Sequence, residues 1–222
     1  FIMKIEMHCH TCEVSPCASA TAYDIVKQHK LKGYDGVVIT DHFNDYVLES
    51  FSGTPEERVT KYLEGYKKAL KAGDEFGIKV FFGIETCILG GYEDFLIYGA
   101  DTDFLYEHPK FYNYTQEKAY KICKEKGFLF IQAHPNRSYC RPRNPKYIDG
   151  IEVFNGNPRY NNNNNKSKLW YKENPHFICT SGSDCHAIKD VDNGGIITDY
   201  YINNEEELKN CILEGNYKLI EK

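Results

Sequence analysis

Apolar and polar positions follow two rhythms along the chain. Short apolar runs over residues 4–7, 36–40, 79–84, 95–98, 128–133, 151–154, 177–180 and 195–198 read as buried strands. Between several of them, apolar residues recur at spacings of three and four, which marks amphipathic helices. Over residues 21–32, Ala22, Ile25, Val26 and the stem of His29 share a face, and Gly33 supplies the stop. Thr54-Pro55-Glu56-Glu57 is a capping box with proline at the first helical position; it predicts a helix to about Phe76 with Val59, Tyr62, Leu63, Tyr66, Ala69, Leu70 and Gly73 on one side. Residues 115–126 and 205–213 repeat the pattern and end before Gly127 and Gly215. This alternation predicts an α/β fold with a mostly parallel sheet. A small or distorted barrel and an open doubly wound sheet both fit, and the barrel is preferred. The asparagine run 161–165 reads as a helix-entry loop or a mobile excursion.

Composition narrows the class. A chain of 222 residues fits one sizeable domain, read here over residues 3–222 with Met3 as the start. No apolar run is long enough for a membrane helix and the N-terminus lacks a signal-peptide pattern, so a cytoplasmic protein is expected. The net charge of -5, with no clustered Lys and Arg, argues against general nucleic-acid binding. Nine cysteines, an odd number at scattered spacings, predict reduced thiols rather than a disulfide framework.

The chemistry lies at the predicted strand ends. His8 and His10 follow the first strand two residues apart, so both imidazoles point to one side. Asp41-His42, Glu85, His134 and Asp184-x-His186 each follow a later strand. In a parallel α/β protein those ends share one edge, where residues far apart in sequence converge. One histidine beside a strand is more often structural than a ligand; five at strand ends reverse that balance. Mixed imidazole and carboxylate donors suit zinc, manganese or iron, and more than four of them imply a cluster of metals with Glu85 as the natural bridge. The implied reaction is metal-assisted hydrolysis through an activated water. Cys9-x-x-Cys12 lacks the second pair of a four-sulfur site, and Cys17 and Cys185 read as packing or oxidation-sensitive neighbours of the metals.

His8-Cys9-His10-Thr11, Ile39-Thr40-Asp41-His42, Gly83-Ile84-Glu85, Ala133-His134-Pro135 and Gly182-Ser183-Asp184-Cys185-His186 together resemble the polymerase and histidinol phosphatase (PHP) domain family, in the family's order. The resemblance implies a distorted (β/α)7 barrel holding up to three divalent metals, and phosphoesterase activity. By similarity His8, His10, Glu85 and Asp184 would hold the first metal, Glu85 and His134 the second, and His42 and His186 the third, with Asp41 orienting a ligand from behind. Two positions depart from the family pattern. Ser15 and Pro16 stand where many members have an Asp or His, so Glu13 becomes the candidate third-metal ligand; a histidine expected within residues 93–99 is missing, and Asp94 is the candidate replacement.

Only five arginines are present, and Arg137, Arg141, Arg143 and Arg159 fall after proposed site strands. Guanidinium groups clamp phosphate oxygens, which favours a small phosphorylated substrate, with Arg137 and Arg159 offsetting charge in the transition state and His186 a candidate proton donor. Hydrolysis of a non-phosphate bond and a non-catalytic metal-binding role are the competing readings.

Overall fold

The computed structural model describes residues 2–222. Helices begin where a side-chain oxygen meets unpaired backbone donors. Thr21, Asn44 and Thr54 cap α1 (Ala22–Leu31), α2 (Asp45–Ser50) and α3 (Pro55–Tyr62), the last with a complete capping box. The helix expected to run on to Phe76 breaks at Leu63 and resumes as α4 (Glu64–Phe76). The break seats Gly65 against the loop after the first strand, where a β-carbon would come within 2.4 Å of the Thr11 hydroxyl oxygen. The remaining helices are α5 (Asp103–Glu107), α6 (Gln116–Lys126), α7 (Asn164–Glu173) and α8 (Glu205–Glu214). The asparagine run is the entry to α7, and left-handed glycines end α4, α6 and α8.

The described residues form nine strands, β1 (Met3–Cys9), β2 (Gly36–Ile39), β3 (Lys79–Cys87), β4 (Asp94–Tyr98), β5 (Leu129–Gln132), β6 (Gly150–Asn155), β7 (Ile178–Gly182), β8 (Gly194–Thr198) and β9 (Lys218–Glu221). They form one sheet in the order β7-β6-β5-β4-β3-β2-β1-β8-β9. Its long arm curls until β7 reaches β1: His10 N–H donates to the Cys185 carbonyl at 2.9 Å and Cys185 N–H to the His8 carbonyl at 3.1 Å. The fold is thus a distorted barrel of seven strands, with β8 and β9 added beside β1.

The expectation of a mostly parallel sheet is corrected. β1–β2–β3 and β5–β6–β7 pair in parallel, but β4 runs against both neighbours and β8 and β9 pair antiparallel. Only residues 88–93 separate β3 from β4, too few for a crossover, so the pair closes as a hairpin. Because β4 is inverted, its first residue, Asp94, stands at the rim where the parallel strands end.

Apolar packing holds this rim open at one end and plugs the other. Met3, Ile5, Met7, Val38, Phe81, Leu96, Tyr98 and Ile131 cluster with Leu208, Cys211 and Ile212 of α8. Ile202 N–H meets the Met3 sulfur, and Lys209 lies over Gly99, so α8 covers the end of the barrel away from His8. Separate apolar clusters seat α1 and α4 on β1 and β2, and the middle helices on β3 to β6.

Candidate metal centre

The rim gathers the predicted donors around Glu85. Its Oε1 lies 3.1 Å from His8 Nε2 and 3.1 Å from His134 Nε2, and its Oε2 lies 3.2 Å from His10 Nε2 and 2.8 Å from His42 Nδ1. One carboxylate therefore faces four imidazoles, two on each oxygen. Asp184 Oδ1 closes the other side, 3.5 Å from His8 Nε2, 3.3 Å from His10 Nε2 and 3.2 Å from His186 Nδ1. Asp94 approaches His134 Nε2 at 3.8 Å and groups with His42 and Glu85. His10, His42 and His186 form a further group whose ring nitrogens lie within 4.8 Å of one another.

Local backbone geometry aims these side chains. The register of β1 against β2 shifts between Glu6 and Cys9, a bulge just where His8 must face inward. Gly182 lets β7 press on that position, since a β-carbon there would stand 2.4 Å from the His8 β-carbon. His134 and Asp184 both adopt positive φ, 28° and 48°, which L-residues rarely do and which marks strain held by the surrounding contacts.

Burial without partners is the test of fit for metal. His8 Nε2, His10 Nε2, His42 Nδ1 and Glu85 Oε2 are all buried and make no hydrogen bond. Buried polar atoms normally find a partner. Here four orphans converge, of the imidazole and carboxylate types that zinc, manganese and iron accept, so the residues present fit a divalent-ion cluster.

The electrostatics agree. Burial alone would push Glu85 and Asp184 up, but His8 and the other neighbouring imidazoles, with Arg137 beside Asp184, hold both carboxylates well below their ordinary range. Burial opposes charge on His8, yet Glu85, Asp184 and Glu152 raise it well above the usual imidazole value. Burial and the neighbouring His186 and His42 lower His10, whereas burial and Glu85 raise Asp94 to about 6.

A supporting layer locks the donors. Glu152, in the buried apolar run of β6, accepts from His8 Nδ1 at 2.9 Å, from His134 N–H at 2.9 Å and from Asn155 Nδ2 at 2.8 Å. It fixes the His8 proton on Nδ1 and frees Nε2. Asp41 accepts from Thr11 N–H, Thr11 Oγ1 and Ser15 Oγ at 2.7, 2.7 and 2.8 Å, and Ser15 Oγ lies 3.3 Å from His10 Nδ1. Asp41 thus sits behind His10, one hydroxyl away. Sequence reasoning missed Glu152, because a lone acid in an apolar strand looks like the outward face of a sheet; its position after a buried strand start was the only signal.

Two expectations are corrected. Glu13 does not reach the cluster: its carboxylate accepts from Ala22 N–H at 2.9 Å and lies 3.6 Å from Lys68 Nζ, drawn to the start of α1. Arg137 is not free to clamp a substrate. Its guanidinium is buried, bonds Asp184 Oδ2, Asn155 Oδ1 at 3.0 Å and Asn162 Oδ1 at 2.8 Å, and stacks on Tyr160. A buried guanidinium requires such partners, so Arg137 positions Asp184 instead. Arg143 is likewise held by Glu93 at 2.8 Å, while Arg141 is largely exposed. Arg159 remains exposed at the rim, donating to the Cys17 carbonyl at 3.2 Å and Asn157 Oδ1 at 3.3 Å. Burial opposes ionisation of the Cys17 thiol, yet the neighbouring His186 and His42 imidazoles bring it down to about 5.

A family model of the PHP domain matches residues 6–220. The chain belongs to the PHP domain family. Among solved structures, this PHP domain is similar to a two-domain protein from Bacteroides vulgatus predicted to contain a PHP-like metal-dependent phosphoesterase, with 14% identity and a TM-score of 0.74 over 100% of this chain and 65% of that one. The chain therefore spans about two thirds of that relative. A provisionally assigned metal-dependent phosphoesterase from Bifidobacterium adolescentis shares 16% identity at a TM-score of 0.57, covering 93% of this chain and 94% of the other. The lesion-specific endonuclease EndoQ from Pyrococcus furiosus shares 15% identity at 0.61, covering 99% and 58%. At these identities the likeness shows the fold. No protein of curated function matches the sequence significantly. Among the described residues no helix is long and apolar enough to cross a membrane.

Proposed function

We propose that this PHP domain is a metal-dependent phosphoesterase acting on a small phosphate monoester. The observation that carries the reading is the convergence of three buried imidazole nitrogens without hydrogen bonds, on His8, His10 and His42, on one carboxylate, Glu85, whose own Oε2 also lacks one. His8, His10, Glu85 and Asp184 would hold one ion, Glu85, His134 and Asp94 a second, and His42 with His186 a third. Zinc, manganese or iron there would supply Lewis-acid activation of water and of a phosphoryl oxygen.

The chain's own residues set the rest. Glu152 and Ser15 hold His8 and His10 in fixed tautomers, and Arg137 keeps Asp184 ionised and aimed. His186 Nδ1 lies 2.9 Å from the Asp184 carbonyl, which leaves Nε2 free and supports a role for the ring in holding an ion. Arg159, the exposed guanidinium next to Cys17, is the group left to bind a phosphate oxygen. The phosphoesterase description of the Bacteroides vulgatus relative supports this substrate class, and the endonuclease relative makes an oligonucleotide end a further member of it.

The test is a panel of phosphomonoesters, dinucleotides, lactones and amides offered to protein reconstituted with each metal. Phosphomonoester turnover inhibited by inorganic phosphate is expected. Arg159→Ala should raise KM about tenfold, the loss of one charge-assisted contact, with metal content unchanged. Turnover of a lactone or amide with none of any phosphoester would overturn the reading.

A further inference from the structure

A buried acid beside the metal centre belongs to none of its donor groups. Glu6 of β1 is fully buried, and His29 of α1, with Nε2 3.6 Å from Glu6 Oε2, marks the side it faces. Cys9, Ala22, Ile25 and Val26 pack in the apolar cluster that joins those two elements. A carboxylate buried beside such an interface is costly unless it is well paired. Here the pairing with His29 is poor: the ring uses Nδ1 on the Ile25 carbonyl at 2.8 Å, and neither its Nε2 nor Glu6 Oε2 makes a hydrogen bond.

The other oxygen of Glu6 is engaged twice, each time by backbone. Oε1 accepts from His8 N–H at 2.9 Å and from Ser183 N–H at 2.8 Å. His8 lies on β1, and Ser183 stands just past β7, one residue before Asp184. One oxygen atom therefore joins the segment that carries His8 and His10 to the segment that carries Asp184 and His186.

The bulge in β1 explains why an acceptor is needed at this place. Residues two apart in a regular strand share a face, so with Ile5 and Met7 in the cluster that plugs the barrel, Glu6 and His8 would both point to α1. Instead His8 faces Glu85, and Cys9 takes the α1 side. The register shift between Glu6 and Cys9 moves the alternation by one residue. A bulge takes backbone groups out of the ladder, and the Glu6 side chain folds back on the donor at His8. An apolar residue at position 6 would deprive two buried N–H groups of this acceptor.

The geometry assigns Glu6 as a positioning residue of the metal centre. It keeps His8 turned inward and sets the spacing between His8 and the Asp184 segment, so that the two donors of the first ion stay in register. It acts through backbone and touches neither ion nor substrate. The inference rests on the proposed metal centre.

The experiment is zinc affinity by equilibrium dialysis, the visible spectrum of the cobalt(II)-loaded full chain and the melting temperature, measured for each variant. Glu6→Ala should weaken the ion at His8 and Asp184 by about 10- to 100-fold and alter the cobalt bands. Glu6→Gln, whose side-chain carbonyl can accept both N–H groups, should restore affinity and spectrum. Glu6→Asp keeps the charge but is one methylene too short, and should restore neither. This pair decides the matter by itself if Glu6→Ala does not fold. Leu208→Ala, at the plugged end of the barrel, should lower the melting temperature and leave zinc affinity unchanged. Unchanged affinity in Glu6→Ala or Glu6→Asp, retention in Glu6→Asp with loss in Glu6→Gln, or a loss in Leu208→Ala in step with its melting temperature overturns the positioning role alone. Failure of the unsubstituted chain to bind zinc or cobalt overturns the metal centre, and the role with it.

Discussion

The two ends of the rim cluster are built from different chemistry. At one end His134, Glu85 and Asp94 offer two carboxylates and one imidazole; at the other, His10, His42 and His186 offer three imidazoles. The first end is braced by Glu152, which accepts from His134 N–H and fixes the neighbouring His8 ring. The second is braced by Asp41, which reaches His10 through the Ser15 hydroxyl, and by Asp190, which accepts from His186 N–H. Glu85 belongs to both, since each of its oxygens serves one end. One polar rim can thus hold a carboxylate-rich position and an imidazole-rich one a few ångströms apart.

The comparison breaks most completely at Glu85. Glu85→Ala removes the carboxylate that both ends share, so both should empty: affinity is expected to fall by more than about 100-fold, above the usual loss for a residue behind a ligand, with phosphoester turnover lost as well. Elemental analysis after gel filtration reads this directly. Asp94→Asn should act on one end alone, weakening a single ion by about 10- to 100-fold while the remaining metal stays bound. Loss of all metal in that variant would show the ends to be one unit.

The gentlest probe is pH on metal-free protein. His186 is raised from 6.5 to about 9, burial opposing and Asp184 raising it. A group whose folded pKa is raised stabilises the fold fully below its unfolded value and loses that contribution as pH climbs through the folded one. The melting temperature should therefore decline between pH 6.5 and about 9, and zinc, which competes with the same proton, should remove the slope. A flat profile without metal would mean that His186 is not held by Asp184.

How much of this was legible in the sequence follows from how local each signal is. The capping box at Thr54 and the glycines after α4, α6 and α8 are settled within a few residues, so those ends were readable. The direction of β4 was not, because Phe95-Leu96-Ile97-Tyr98 is buried on both faces and reads alike in either sense. The rim histidines were legible because strand ends converge in any such barrel. Whether Glu13 turns inward was not: Ala22 N–H and Lys68 lie within its reach, and only the fold decides that. Arg137 looked like a substrate clamp because sequence carries no burial for a single guanidinium.

β1 divides its partners: its first half pairs with β8, and only its end, at His8 and His10, meets the segment after β7 through Cys185. The seam that closes the ring is therefore also the place where the earliest and latest donors meet. Domains acquire structure as they leave the ribosome, N-terminal parts first. His8 and His10 are made long before Asp184 and His186 and must wait for them. Until then the nascent chain carries an open sheet with six of the eight candidate donors, so ring closure and completion of the candidate metal centre become one late event.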